Sequence, residues 1–141
     1  MIEVVKFKKE HLDRMILQEN QKGLEFLETT ELFSSLESED SYSVIDGSEV
    51  LCCAGVVAMN VGRGVAWAYL SADLKERMIS VTRAVKRYLN IAAFHRIEMH
   101  VDCDFKEAHR WAEMLGFNME CERMIAFTPD KRDCALYAMT R

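Results

Sequence analysis

The sequence predicts an α/β protein forming a single domain over residues 1–141. Three observations carry this. Runs such as 2–7 and 97–103 alternate apolar and polar residues with the two-residue period of a half-buried strand. Stretches such as 73–89 repeat apolar residues at helical spacing. Glycine-bearing turns, among them Asp46-Gly47 and Leu115-Gly116-Phe117, fall at the joins between these runs.

The elements follow in order. Residues 2–7 read as a strand. Residues 10–27 place Leu12, Met15, Ile16, Leu24 and Leu27 at helical spacing, interrupted at Gly23, and 29–36 read as a second short helix carrying Leu32, Phe33 and Leu36. A polar linker, 38–41, leads into strand 42–45. Asp46-Gly47 is a hairpin signal, and 50–61 is a long apolar strand returning through 60–64 into strand 65–70. Asp73 then reads as a helix cap, with Glu76 three residues on completing a capping box. The helix buries Met78, Ile79, Val81, Val85, Tyr88 and Leu89, with Arg77, Arg83, Lys86 and Arg87 mostly off that stripe. Strand 97–103 follows. Because a helix intervenes, strands 65–70 and 97–102 are expected to be parallel neighbours. A helix over 104–115 stops at Gly116, strand 117–127 follows, and residues 128–133 turn into strand 135–139.

Composition narrows the function. Half of the residues are hydrophobic and 29% are charged, as in ordinary globular chains. The 23 acids exceed the 18 lysines and arginines, for a net charge of −5. That balance speaks against non-specific nucleic-acid binding and suits a cationic partner. Met1 leads straight into an alternating run without the apolar core of a secretory signal, and no stretch nears the ~20 apolar residues of a membrane helix. The five cysteines show no CxxC or paired Cys/His spacing. They are expected to be reduced, half-buried thiols in a reducing cytoplasm, with neither a disulfide framework nor a metal. Nine methionines are many for this length. Met15, Met59, Met78, Met99, Met114, Met119, Met124 and Met139 are expected mostly as adaptable core filler.

The element order, closed by the helix that runs from Ala108 to Leu115-Gly116-Phe117, resembles the GCN5-related N-acetyltransferase (GNAT) superfamily over nearly the whole chain. The spacing is also similar to small GNAT-like proteins of tailed bacteriophages. The resemblance implies a GNAT-type mixed, largely antiparallel twisted sheet with helices on both faces, in the order β-α-α-β-β-β-α-β-α-β-β. It implies acetyl-CoA as cofactor, an unidentified amine as acceptor and a cytoplasmic location, the host's for a phage protein. It leaves a homo-oligomer open.

In the family, the junction after the fourth strand carries an Asp, then an Arg or Gln, then glycines at alternate positions. Glycine lets backbone N–H groups approach the CoA diphosphate at a helix N-terminus. Here the stretch is Asp73-Leu74-Lys75-Glu76-Arg77-Met78-Ile79-Ser80. Asp73 matches and Lys75 keeps a cation, but Glu76, Met78 and Ser80 occupy the glycine positions. Two readings stay open: a capped structural helix, or a degenerate CoA site. In the second, Lys75 and Arg77 supply the phosphate charges, and Trp67, Tyr69, Leu70 and Ser71 line the rest. The tyrosine that the resemblance assigns to protonating the leaving thiolate falls on Ala112, leaving Tyr137 and Tyr69 as substitutes. Glu98, His100 and Asp102 project to one face of their strand. They form a candidate general-base row in which an adjacent acid would raise the imidazole pKa. The resemblance leads first to transfer of an acetyl group from acetyl-CoA to an amine; the missing glycines and tyrosine support the alternative, a non-catalytic GNAT-fold binding or assembly module with a protein partner, in virion maturation or against host defence.

Overall fold

The structure, a computed structural model, describes residues 1–16, 37 and 40–141. The expectations for 17–36, including the second helix and Gly23, lie outside the described residues, as do Ser38 and Glu39 of the linker. The described elements are β1 (Ile2–Lys6), α1 (Lys9–Asp13), β2 (Ser41–Asp46), β3 (Glu49–Asn60), β4 (Arg63–Leu70), α2 (Arg77–Ile91), β5 (Arg96–Asp102), α3 (Lys106–Leu115), β6 (Asn118–Met124) and β7 (Cys134–Thr140). The strands form one largely antiparallel sheet in the order β1-β2-β3-β4-β5-β7-β6. Within it the chain divides into two compact units, Met1–Val57 with Trp67–Ile91, and Ala58–Ala66 with Ala92–Arg141.

In the first unit β1 pairs antiparallel with β2, and β2 with β3 through a register shift at Val44/Ile45. Gly47 sits at φ +62°, so the expected Asp46-Gly47 hairpin is present. Neighbouring strand residues point to opposite faces, and the two helices divide accordingly. On one face, His11 of α1 bonds Ser43 at 2.8 Å, and Phe7, Met15, Val50 and Cys53 are buried together. On the other, Tyr88 of α2 meets the Tyr42 ring at 5.5 Å and donates to Asp40 at 3.0 Å. Val81, Thr82 and Leu89 are the buried residues of α2. Ile79, expected inside, is exposed: at about 100° per residue it lies nearly opposite Val81.

In the second unit β4 and β5 are parallel, from Arg63↔Arg96 to Ala66↔Met99, as the intervening helix requires. β5 pairs antiparallel with β7, and β7 with β6. Trp111, Ala112 and Leu115 form the buried face of α3. Gly116 ends it at φ +100°, where its N–H bonds Glu113 O and the Phe117 N–H bonds Ala112 O, each at 3.0 Å. This 5→2 and 6→1 pair satisfies the last carbonyls in a conformation that only glycine adopts cheaply.

Two compositional expectations change. Met15 is the buried methionine of the core, whereas Met59, Met114 and Met119 are exposed. All five cysteines are free, but Cys52, Cys53 and Cys134 are buried rather than half-buried. Burial pushes the Cys53 thiol up to about 12, which leaves it inert. Among the described residues no helix is long and apolar enough to cross a membrane, and no group of three or more His, Cys, Asp or Glu is placed to hold a metal.

Candidate functional site

The turn after β4 belongs to the first unit. Trp67 packs edge-on against Phe7 (5.1 Å) and lies 5.9 Å from Tyr69. Its indole N–H is buried and has no hydrogen-bond partner among the described residues. Leu70 and Ser71 are buried, and the Ser71 N–H bonds Leu51 O at 2.9 Å. The Asp73 N–H is taken by Ser71 Oγ at 3.3 Å.

The sequence placed a helix cap at Asp73; the helix instead begins four residues later, at Arg77. Lys75 sits at φ +51°, a left-handed conformation that a right-handed helix cannot contain. The chain then tightens into short bonds. Arg77 N–H bonds Leu74 O at 3.0 Å, Met78 N–H bonds Lys75 O at 3.1 Å, and Ile79 N–H bonds Glu76 O at 3.3 Å. These are donors that a helix normally leaves free at its N-terminus.

The two cations differ. The Arg77 guanidinium donates to Glu49 and, at 2.7 Å, to the Asp73 carbonyl, and it lies 3.6 Å from Asp46. Lys75 is exposed and lies 3.6 Å from Asp73. A CoA diphosphate needs free backbone donors or uncommitted cations here. The first amides of α2 are self-satisfied, Arg77 already faces two carboxylates, and Lys75 has Asp73 beside it. The residues present do not fit the diphosphate in the way the family uses it.

The second unit holds the other candidates, and the expected carboxylate–imidazole–carboxylate row is not formed. Glu98 is buried and bridged by Arg63 (2.7 and 3.0 Å) and Arg96 (2.7 Å). Arg63 first, opposed by burial and helped by Arg96, holds its carboxyl down at about 2. Asp102 accepts Arg132 at 2.7 Å and the Asp104 N–H at 2.9 Å, so it organises the turn after β5. His100 is exposed and its ring lies tilted against Phe127, 4.6 Å between centroids. It makes no hydrogen bond among the described residues. Its pKa is lowered, not raised: desolvation outweighs the opposing charge of Glu98.

Tyr137, a candidate proton donor, is 1% exposed. Its hydroxyl lies 2.8 Å from His109 Nδ1, while His109 Nε2 faces the carbonyls of Asp102 and Cys103 at 3.1 and 3.2 Å. Those carbonyls require the proton on Nε2, so Nδ1 accepts the Tyr137 O–H. Burial, with Glu113, pushes the phenol pKa up. Its proton is committed to a bond that ties α3 to β7. His109, Arg63, Arg96 and Arg132 are the partners that sequence reading missed. Arg63 and Arg96 become visible only once β4 and β5 are paired in register.

No family model matches the chain, and no curated protein matches it. Solved structures do. Ard1 from Thermoplasma volcanium superposes with a TM-score of 0.80 at 13% identity, over 99% of this chain and 97% of that one. The ribosomal-protein-S18-alanine N-acetyltransferase from Escherichia coli gives 0.69 at 12% identity, over 99% and 94%. A GNAT-family acetyltransferase from Bacillus anthracis gives 0.69 at 11%, over 99% and 94%. The chain thus has the fold of the GNAT acetyltransferases, and at these identities the likeness speaks for the fold alone.

Proposed function

We propose that this chain is a GNAT-fold binding or assembly module rather than a working acetyltransferase. One observation carries the reading: the amides of Arg77, Met78 and Ile79, where the fold would receive a diphosphate, are closed on their own turn. The committed Arg77 guanidinium, the Tyr137 proton held by His109 and the arginine-bridged Glu98 support it. Such a module would act in particle assembly or host interaction, with a protein partner; the support is the sequence's likeness to small GNAT-like phage proteins.

A second reading has its own support. It is acetyl transfer from acetyl-CoA to an amine, with His100 accepting the amine proton. The exposed His100 imidazole, its pKa lowered by desolvation, favours it. A base that is unprotonated at working pH is what amine activation asks for.

Titration with millimolar acetyl-CoA, followed by calorimetry and by thermal melting, separates the two. The module reading expects no heat and no melting shift, because a ligand that binds only the folded state must raise stability. Saturable heat with a raised melting temperature would establish the cofactor reading, and His100→Ala would then lower turnover without abolishing binding.

A further inference from the structure

α2 carries Arg77, Arg83, Lys86 and Arg87 and no acidic residue, in a chain whose net charge is −5. Arg77 is paired, but Arg83, Lys86 and Arg87 are exposed and make no ion pair or hydrogen bond among the described residues. Arg83 and Arg87 stand four residues apart, where like charges repel across a helical turn. Helix stability alone would place a glutamate at one of them. The same four-residue interval continues outward to Ile79 and Ile91, which are 64% and 78% exposed. Ile79, Arg83, Arg87 and Ile91 therefore form one ridge, roughly 18 Å long at 1.5 Å per residue. Lys86 flanks it. The helix buries its opposite side through Val81 and Leu89, so the ridge is not a share of the core.

We propose that this ridge is the docking face for an acidic, amphipathic polypeptide helix, whose carboxylates meet Arg83, Lys86 and Arg87 and whose apolar side chains cover Ile79 and Ile91. Charge complementarity selects an anionic partner. The isoleucines that end the ridge select a polypeptide over a nucleic acid, because a phosphate backbone offers nothing apolar to cover them. The inference rests on the binding-module reading and names the chemistry of the partner.

The test uses the full chain and a fluorescent synthetic helical peptide, with leucines spaced as Ile79 and Ile91 are and glutamates between them. A composition-matched scrambled peptide and a single-stranded oligonucleotide of similar charge serve as comparators. The expected result is binding that weakens with salt and exceeds both comparators. Arg83→Gln with Arg87→Gln, and separately Ile79→Ser with Ile91→Ser, should each weaken it at least about tenfold. Circular dichroism melts identify any variant that has lost its fold, and charge-preserving Arg83→Lys with Arg87→Lys should keep most of the binding. No binding to the peptide, indifference to the isoleucine variant, or equal affinity for the oligonucleotide would each overturn the proposal. If the peptide fails while acetyl-CoA also gives no heat, the module reading stands and this ridge is not its interface.

Discussion

The C-terminus of α3 and the N-terminus of α2 are both places where this fold has a sequence signature, and they have fared differently. At α3, Leu115-Gly116-Phe117 keeps both residue types and geometry: the glycine is left-handed and the two cap bonds are made. At α2, the glycines are replaced, a left-handed lysine sits before the helix, and short bonds consume the first amides. The first terminus closes the buried face of α3. The second is where the family resemblance expects a ligand, and here its amides are bonded within their own turn.

The comparison breaks most sharply at α3. Trp111→Ala should cost roughly 3–5 kcal/mol as a large-to-small change at a buried position. A loss under about 1 kcal/mol in denaturant titration would mean that α3 is not the anchor described.

Glu98 comes next. Glu98→Gln should cost about 1.5–3 kcal/mol, towards the lower end because Arg63 is partly exposed. The native stability should also depend on pH. The folded carboxyl titrates at about 2, against 4.5 ordinarily. Its contribution is therefore whole above 4.5 and is lost as pH falls from there towards 2. Glu98→Gln should flatten that part of the acid-stability curve; an unchanged curve would contradict the arginine bridge.

Gly116→Ala should cost about 1–2 kcal/mol from the left-handed backbone. The nearest atom to an added Cβ, Met139 Cε, is at an ordinary 3.5 Å, so no clash adds to this.

The smallest effects lie at α2. Arg77→Ala should lower the melting temperature slightly, as loss of a partly exposed ion-pair network does, while Lys75→Ala should leave it nearly unchanged. Lys75→Gly should be neutral to stabilising, since glycine accepts φ +51° freely. Equal costs for Arg77 and Lys75 would remove the distinction between a cation held by two carboxylates and an exposed one with a single neighbour.

The legibility of the sequence follows the same division. The strand pattern, the Asp46-Gly47 hairpin, the parallel β4–β5 pair and the Gly116 helix stop depend on local pattern and turn chemistry, and they were readable. The start of α2 was not. Asp73 and Glu76 have capping-box spacing, yet the left-handed Lys75 between them is a backbone state that no side-chain pattern announces. The row Glu98–His100–Asp102 followed from strand alternation alone, whereas the partners Arg63 and Arg132 that take up its carboxylates come from distant segments. Tyr137 could be named as a substitute proton donor, but not its partner, because His109 reaches it from a neighbouring helix.

The most direct test of the account is the behaviour of three amides. Backbone NMR of the intact protein, titrated with acetyl-CoA, reports on the N–H groups of Arg77, Met78 and Ile79 individually. The account predicts that they are slow to exchange in the free protein and keep their chemical shifts to millimolar ligand. Saturable shifts at these three amides would show that the turn opens to receive a diphosphate, and would contradict the reading of this fold as a module without its cofactor.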